Sequence, residues 1–152
     1  MKPIWKYGIT LSVAVLLLAL GAPAFPAANP AQHPAYLHAL TDLRFARAHL
    51  ERPDGGALRQ QESDAIGEID RAIDEIKKAA MDDGKNLHDH PPVDAHMEWG
   101  GRLRKSLELL DKAHHDIEHE EDDPAARGLR ERALEHIDKA HHHVEEAIRV
   151  VR

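Results

Sequence analysis

Between residues 66 and 80 the chain carries Ile66, Ile69, Ile73, Ile76 and Ala80, apolar residues separated by steps that alternate between three and four. On an α-helix that spacing gathers all five into one stripe, and a seam so regular has to be covered by other helices. A strand would scatter the same residues over both faces. Gly84 follows as a natural C-terminal stop, so the pattern predicts a helix over roughly 60–82.

Other segments share the period. A first helix over 35–51 carries Tyr36, Leu40, Leu43 and Leu50 and ends before Pro53-Asp54-Gly55-Gly56. A third helix starts at Asp94, whose side chain can cap free N–H groups after Pro91-Pro92, and carries Leu103, Leu107, Leu110, His114 and Ile117. The fourth has Asp123 as cap and Pro124 at its first position, then Leu134, Ile137, His141, Val144, Ile148 and Val151. Strand patterns are absent. The expected fold is all-α, an antiparallel up-down four-helix bundle in the order up-down-up-down, with a hairpin over 36–83, a connector over 84–93 and a hairpin over 94–152.

The two hairpins are related by duplication. The third helix aligns with the first at an offset of 67 and the fourth with the second at 68, pairing Leu40 with Leu107, Leu43 with Leu110, Ala46 with Ala113, Ile69 with Ile137, Asp70 with Asp138 and Ala72 with Ala140. Two copies of one helical hairpin are the simplest source of such a match.

Residues 1–24 read as an export signal: Lys2 and Lys6, an apolar run from Ile9 to Leu20, then Ala22-Pro23-Ala24. The run is shorter than the roughly 20 residues that span a bilayer as a helix. With no Cys to carry a lipid, no membrane anchor is expected after cleavage, and the product is placed in the periplasm or outside the cell. Residues 25–35, with three prolines and no apolar period, read as a disordered lead-in.

The full chain has 20 basic and 27 acidic residues, a formal charge of −7; without Lys2 and Lys6 the balance is 18 against 27, or −9. Nucleic acid is a poor partner for that charge. After the signal only Phe25, Phe45, Tyr36 and Trp99 are aromatic, too few for a base-stacking surface. The absence of Cys excludes disulfides, thiolate metal sites and covalent haem. Ser63, Ser106, Thr41 and Tyr36 are the only hydroxyls beyond the signal, so covalent catalysis is not indicated and no enzyme is expected.

Thirteen histidines without a cysteine demand a chemical reading. They are unequal between the repeats: Arg47 aligns with His114, Ala48 with His115, Ile73 with His141 and Asp74 with His142. Residues four apart on a helix lie close enough to chelate one ion. Asp111, His115 and His119 make one such stripe, and Asp138, His142 and Glu146 another. A further group is the stiff segment bearing His88, His90 and His96, where an extended backbone would point the first two imidazoles the same way. His114 and His141, on the seams, are expected at different levels and unable to share an ion. The finish of the fourth helix is expected at the same end of the bundle as the start of the first.

Neither H-E-x-x-H nor two inward Glu-x-x-His pairs occur, so protease and di-iron chemistry are not indicated. Non-covalent haem, held by His114 or His141 with Met81 or Met97, is a weaker alternative.

The stretch Leu129 to Ile148, with His136, His141, His142 and His143, resembles the periplasmic small metal-binding protein family, His-rich four-helix bundles with a signal peptide and no Cys. The resemblance implies binding of divalent copper, nickel or zinc for storage or tolerance, with those four histidines carried over. The residues themselves point to reversible binding of copper, zinc or nickel ions through imidazole and carboxylate. The competing expectation is an envelope protein-interaction module whose histidines sense pH without metal.

Overall fold

The computed structural model describes residues 34–51, 59–78, 84–119 and 127–151. It contains α1 (Pro34–Leu50), α2 (Gln60–Lys78), α3 (Trp99–Glu118) and α4 (Arg127–Val151), and no strand occurs among the described residues. The chain is an all-α bundle of two antiparallel helical hairpins, as the periodicity predicts. The signal segment, the lead-in up to residue 33, the Pro53–Gly56 turn, Ala80, Met81 and the Asp123-Pro124 cap lie outside the described residues. Pro34, expected in the lead-in, belongs to α1. Proline fits there because the first turn has no acceptor for the N–H it lacks.

The predicted stripes supply the core. Tyr36, Leu40, Leu43, Leu50, Ile69, Ile73, Ile76, Leu103, Leu110, Ile117, Ile137 and Val144 are buried. Ile66, Leu107, Leu134 and Ile148 pack at its edge, and Leu109 is buried where Leu107 was expected. The substitution follows from α3 meeting two neighbours, which takes a second stripe: Ser106, Leu109 and Ala113 beside Leu103, Leu110 and Ile117. The duplicated alanines Ala46, Ala72, Ala113 and Ala140 are fully buried. Their small side chains admit close backbone approach, and the buried Ser106 hydroxyl reaches the Ala46 carbonyl on α1 at 3.1 Å.

The neighbours around the bundle are α1 with α2 and α3, and α4 with α2 and α3; α1/α4 and α2/α3 are the diagonals. Every neighbouring pair is antiparallel. On α1/α3, Ala46 meets Ser106 while His38 shares a groove with His115. On α2/α4, Glu75 meets Arg132 and Glu68 meets His136. With α2 and α3 therefore pointing the same way, the direction order is up, down, down, up, not the expected up-down-up-down. α4 accordingly finishes at the end where α1 finishes, not at the end where α1 starts as expected.

The connector explains the reversal. The helix expected from Asp94 begins at Trp99, because Asp94 closes a turn of its own: its carboxylate accepts the His96 N–H (2.9 Å) and its carbonyl the Met97 N–H (3.2 Å). The described connector thus runs over residues 84–98, longer than the 84–93 foreseen. At up to about 3.3 Å per residue such a segment easily returns along a helix rising 1.5 Å per residue. Gly84 takes a positive φ of 70° near the connector's start. The Lys85 carbonyl accepts from Lys77 at 2.8 Å, and Leu87 packs on the core.

At the far end, the buried Glu62 fastens two helix starts together. One carboxylate oxygen accepts the Arg59 backbone N–H (2.9 Å) in a capping-box contact, and the other accepts the Trp99 indole N–H (2.5 Å). The Arg59 guanidinium lies 3.6 Å over the Trp99 ring.

Candidate metal centre

Toward its C-terminal end α3 brings His115, Glu118 and His119 together on its surface. One donor atom from each lies within 4.8 Å of the others, and all three residues are exposed. The His115 and His119 rings have centroids 4.3 Å apart and are tilted by 47°. His119 Nδ1 is 2.9 Å from the His115 carbonyl. Donation by Nδ1 leaves the Nε2 lone pair free for a ligand, the arrangement in which a metal-binding imidazole is usually held.

The i, i+4 spacing of His115 and His119 is legible in the sequence; their carboxylate is not the one expected. Asp111 shares a groove of about 480 Å³ with His115, His38, Thr41, Asp42, Lys112 and Asp116. Its Oδ1, however, stands 3.2 Å from His141 Nε2 on α4. Glu118 joins the histidine pair instead. Asp138, expected with His142, similarly stands 3.4 Å from His114 Nε2 on α3. His142 keeps Glu146, at 3.4 Å, and His143 approaches the same carboxylate at 3.6 Å.

In comparisons with family models, curated proteins and solved structures, no match to this chain was found.

His114 and His141 depart furthest from expectation. They lie not at distant levels but in one groove of about 240 Å³ with Leu110, Asp111, Ile137 and Asp138. The observed pairs instead set Asp111 against His141 and His114 against Asp138. A signal was present in the sequence: Asp-Lys-Ala-His-His occurs at 111–115 and again at 138–142. In an antiparallel pair of helices packed at the observed register, such a repeat sets each aspartate against the other copy's first histidine.

The connector histidines are drawn together only in part. His88 and His90 line a groove with Thr41, Lys85, Asp89 and Pro91. His90 Nδ1 lies 2.8 Å from the Pro91 carbonyl, while the Asp89 carboxylate accepts the Asn86 N–H. His96 lies beyond them in the Asp94 turn, and no group of three donors assembles in this segment among the described residues.

Of the histidines carried over by resemblance, His136 holds Glu68 at 2.6 Å across α2/α4. His141 faces Asp111, and His142 and His143 face Glu146. His49 carried no expectation and is buried, with neither ring nitrogen hydrogen-bonded and its ring 4.7 Å from Phe45. Burial pushes its pKa down, assisted by the charges of Lys105, Arg102 and His90. Burial likewise pushes the Asp42 carboxyl up, with Asp116 acting in the same sense against Lys112 and His38.

No helix among the described residues is long and apolar enough to cross a membrane.

Proposed function

We propose that this chain is an exported binding protein that takes up divalent transition-metal ions reversibly, for buffering or tolerance, and is not a catalyst. The observation that supports this best is the convergence of His115, Glu118 and His119, with donor atoms within 4.8 Å of one another. Two imidazoles and a carboxylate form a borderline donor set suited to copper(II), zinc and nickel, and water completes the shell of so exposed a site. Uptake and release follow from exposure: little has to be desolvated when the ion enters or leaves.

The test is calorimetric titration of the purified, chelator-stripped chain with copper(II), zinc and nickel at pH 7.5 and again at pH 5. Saturable binding at pH 7.5 is expected, with loss at pH 5, because protons compete with the ion for the imidazole lone pairs. His115→Ala with His119→Ala is expected to remove one bound equivalent. Heats no larger than those of a His-poor helical bundle would overturn the reading.

A further inference from the structure

The groove between α3 and α4 holds a second set of donors, on a neighbouring face of α3 from the α1 groove that His115 lines, with Asp111 at the border of both. We propose that Asp111, His114, Asp138 and His141 form a separate divalent-metal site that staples α3 to α4. It rests on the metal-binding reading for its class of ligand, but on different residues and a different geometry.

Each helix contributes an Asp and a His three residues apart, the spacing that puts two side chains on one face. Antiparallel packing sets each imidazole opposite the partner helix's carboxylate: His141 Nε2 to Asp111 Oδ1 at 3.2 Å, and His114 Nε2 to Asp138 Oδ1 at 3.4 Å. Both separations exceed the 2.7–2.9 Å or so of a charge-assisted hydrogen bond. Each is close to the roughly 3.3 Å expected between two ligands that each stand about 2.0 Å from a tetrahedral ion. The two pairs do not converge within 4.8 Å of one another, so an ion draws them together by rotation of these rim side chains. Leu110 and Ile137, both buried, are the apolar members of the groove. The imidazoles are about one-third exposed (33% and 31%), which leaves an ion free to enter between them.

The first hairpin provides the contrast. At the positions of His114 and Asp138 it has Arg47 and Asp70, whose ion pair closes to 2.7 Å. At those of Asp111 and His141 it has Arg44 and Ile73, both fully buried. A guanidinium has no lone pair to offer a metal, whereas neutral imidazole does. The second hairpin has donors at every one of the four positions.

An ion bound to both helices stabilises the folded state increasingly as its affinity rises, whereas one held by His115, Glu118 and His119 bridges only α3 and its C-cap residue. Thermal unfolding of the full chain with zinc as probe, read alongside zinc stoichiometry, separates the two sites. Zinc at about a hundredfold excess over Kd is expected to raise the midpoint by on the order of 10 °C. His114→Gln with His141→Gln is expected to leave the metal-free midpoint and helical signal unchanged, remove one zinc equivalent and abolish most of the rise. His115→Gln with His119→Gln is expected to remove a different equivalent and leave most of the rise in place.

Persistence of the full rise and stoichiometry in the His114/His141 variant would overturn the staple while leaving the exposed site standing. Loss of all binding in the His115/His119 variant would do the same, and absence of zinc binding in the unaltered chain would remove both. Should the His114/His141 variant fail to fold, Asp111→Asn with Asp138→Asn tests the same groove and is expected to lose the same equivalent and the same rise.

Discussion

The two hairpins share a plan and differ in chemistry. Leu43 and Leu110, Ala46 and Ala113, and Ile69 and Ile137 occupy matching positions and are all buried. At the groove within each hairpin the copies diverge: Arg47 holds Asp70 at 2.7 Å and also pairs with Glu51, whereas His114 stands 3.4 Å from Asp138. Backbone geometry tolerates both solutions because each position faces the rim of the bundle. What separates them is permanence, since an arginine stays charged and committed to its carboxylate while a neutral imidazole keeps a lone pair.

The strongest test of the shared plan lies in the core. Leu43→Ala and Leu110→Ala each remove a fully buried side chain, and each is expected to cost about 2–5 kcal/mol in urea unfolding, with similar values for the two. A cost for one that is several-fold the other would show that the hairpins are not energetically equivalent.

The next effect tests the symmetry between the copies. Glu68 and His136 are themselves equivalent under the offset of 68, yet they touch each other at 2.6 Å across α2/α4. Glu68→His alone sets two imidazoles face to face and is expected to cost about 1–2 kcal/mol. Adding His136→Glu restores the pair in reverse and is expected to recover most of that loss. A double exchange as damaging as the single one would break the comparison.

A smaller difference is expected at the groove. In the absence of metal, Arg47→Ala is expected to cost about 1 kcal/mol, and His114→Ala no more than about half of that. Added zinc is expected to reverse the ranking, because only His114 has a ligand to lose.

The smallest effect is a pH slope carried by the first hairpin. His49 is buried without a hydrogen-bond partner for either nitrogen, and burial, with Lys105, Arg102 and His90 nearby, lowers its pKa in the folded state. The unfolded chain therefore binds the proton more readily. The stability His49 contributes is complete above about pH 6.5 and is lost as the pH falls through the folded value. His49→Leu is expected to flatten urea stability against pH below about 6.5; an unchanged slope would assign the acid response to other groups.

The helices were legible because their information is local: Ile69, Ile73 and Ile76 declare one face, and Leu103, Leu110 and Ile117 another. The duplication was legible for the same reason. The direction of the second hairpin was not, because it depends on Asp94 closing a turn rather than capping a helix, and on Glu62 reaching Trp99 from a distant part of the chain. The donor sets fall between these cases. Spacing within α3 finds His115 and His119, but Asp111 could be assigned to His141 only once the α3/α4 register was known.

The neighbour pattern of the bundle has a kinetic consequence. α1 packs more extensively on α3 than on its hairpin partner α2, and α4 more extensively on α2 than on α3. The richest interfaces thus join residues separated by the whole connector, which raises the contact order above that of a bundle whose sequential helices pair best. Loop closure across the connector has to be met before those interfaces can form. The chain is therefore expected to fold more slowly than a sequentially paired helical bundle of its length, with its rate sensitive to the stiffness of the proline-bearing connector.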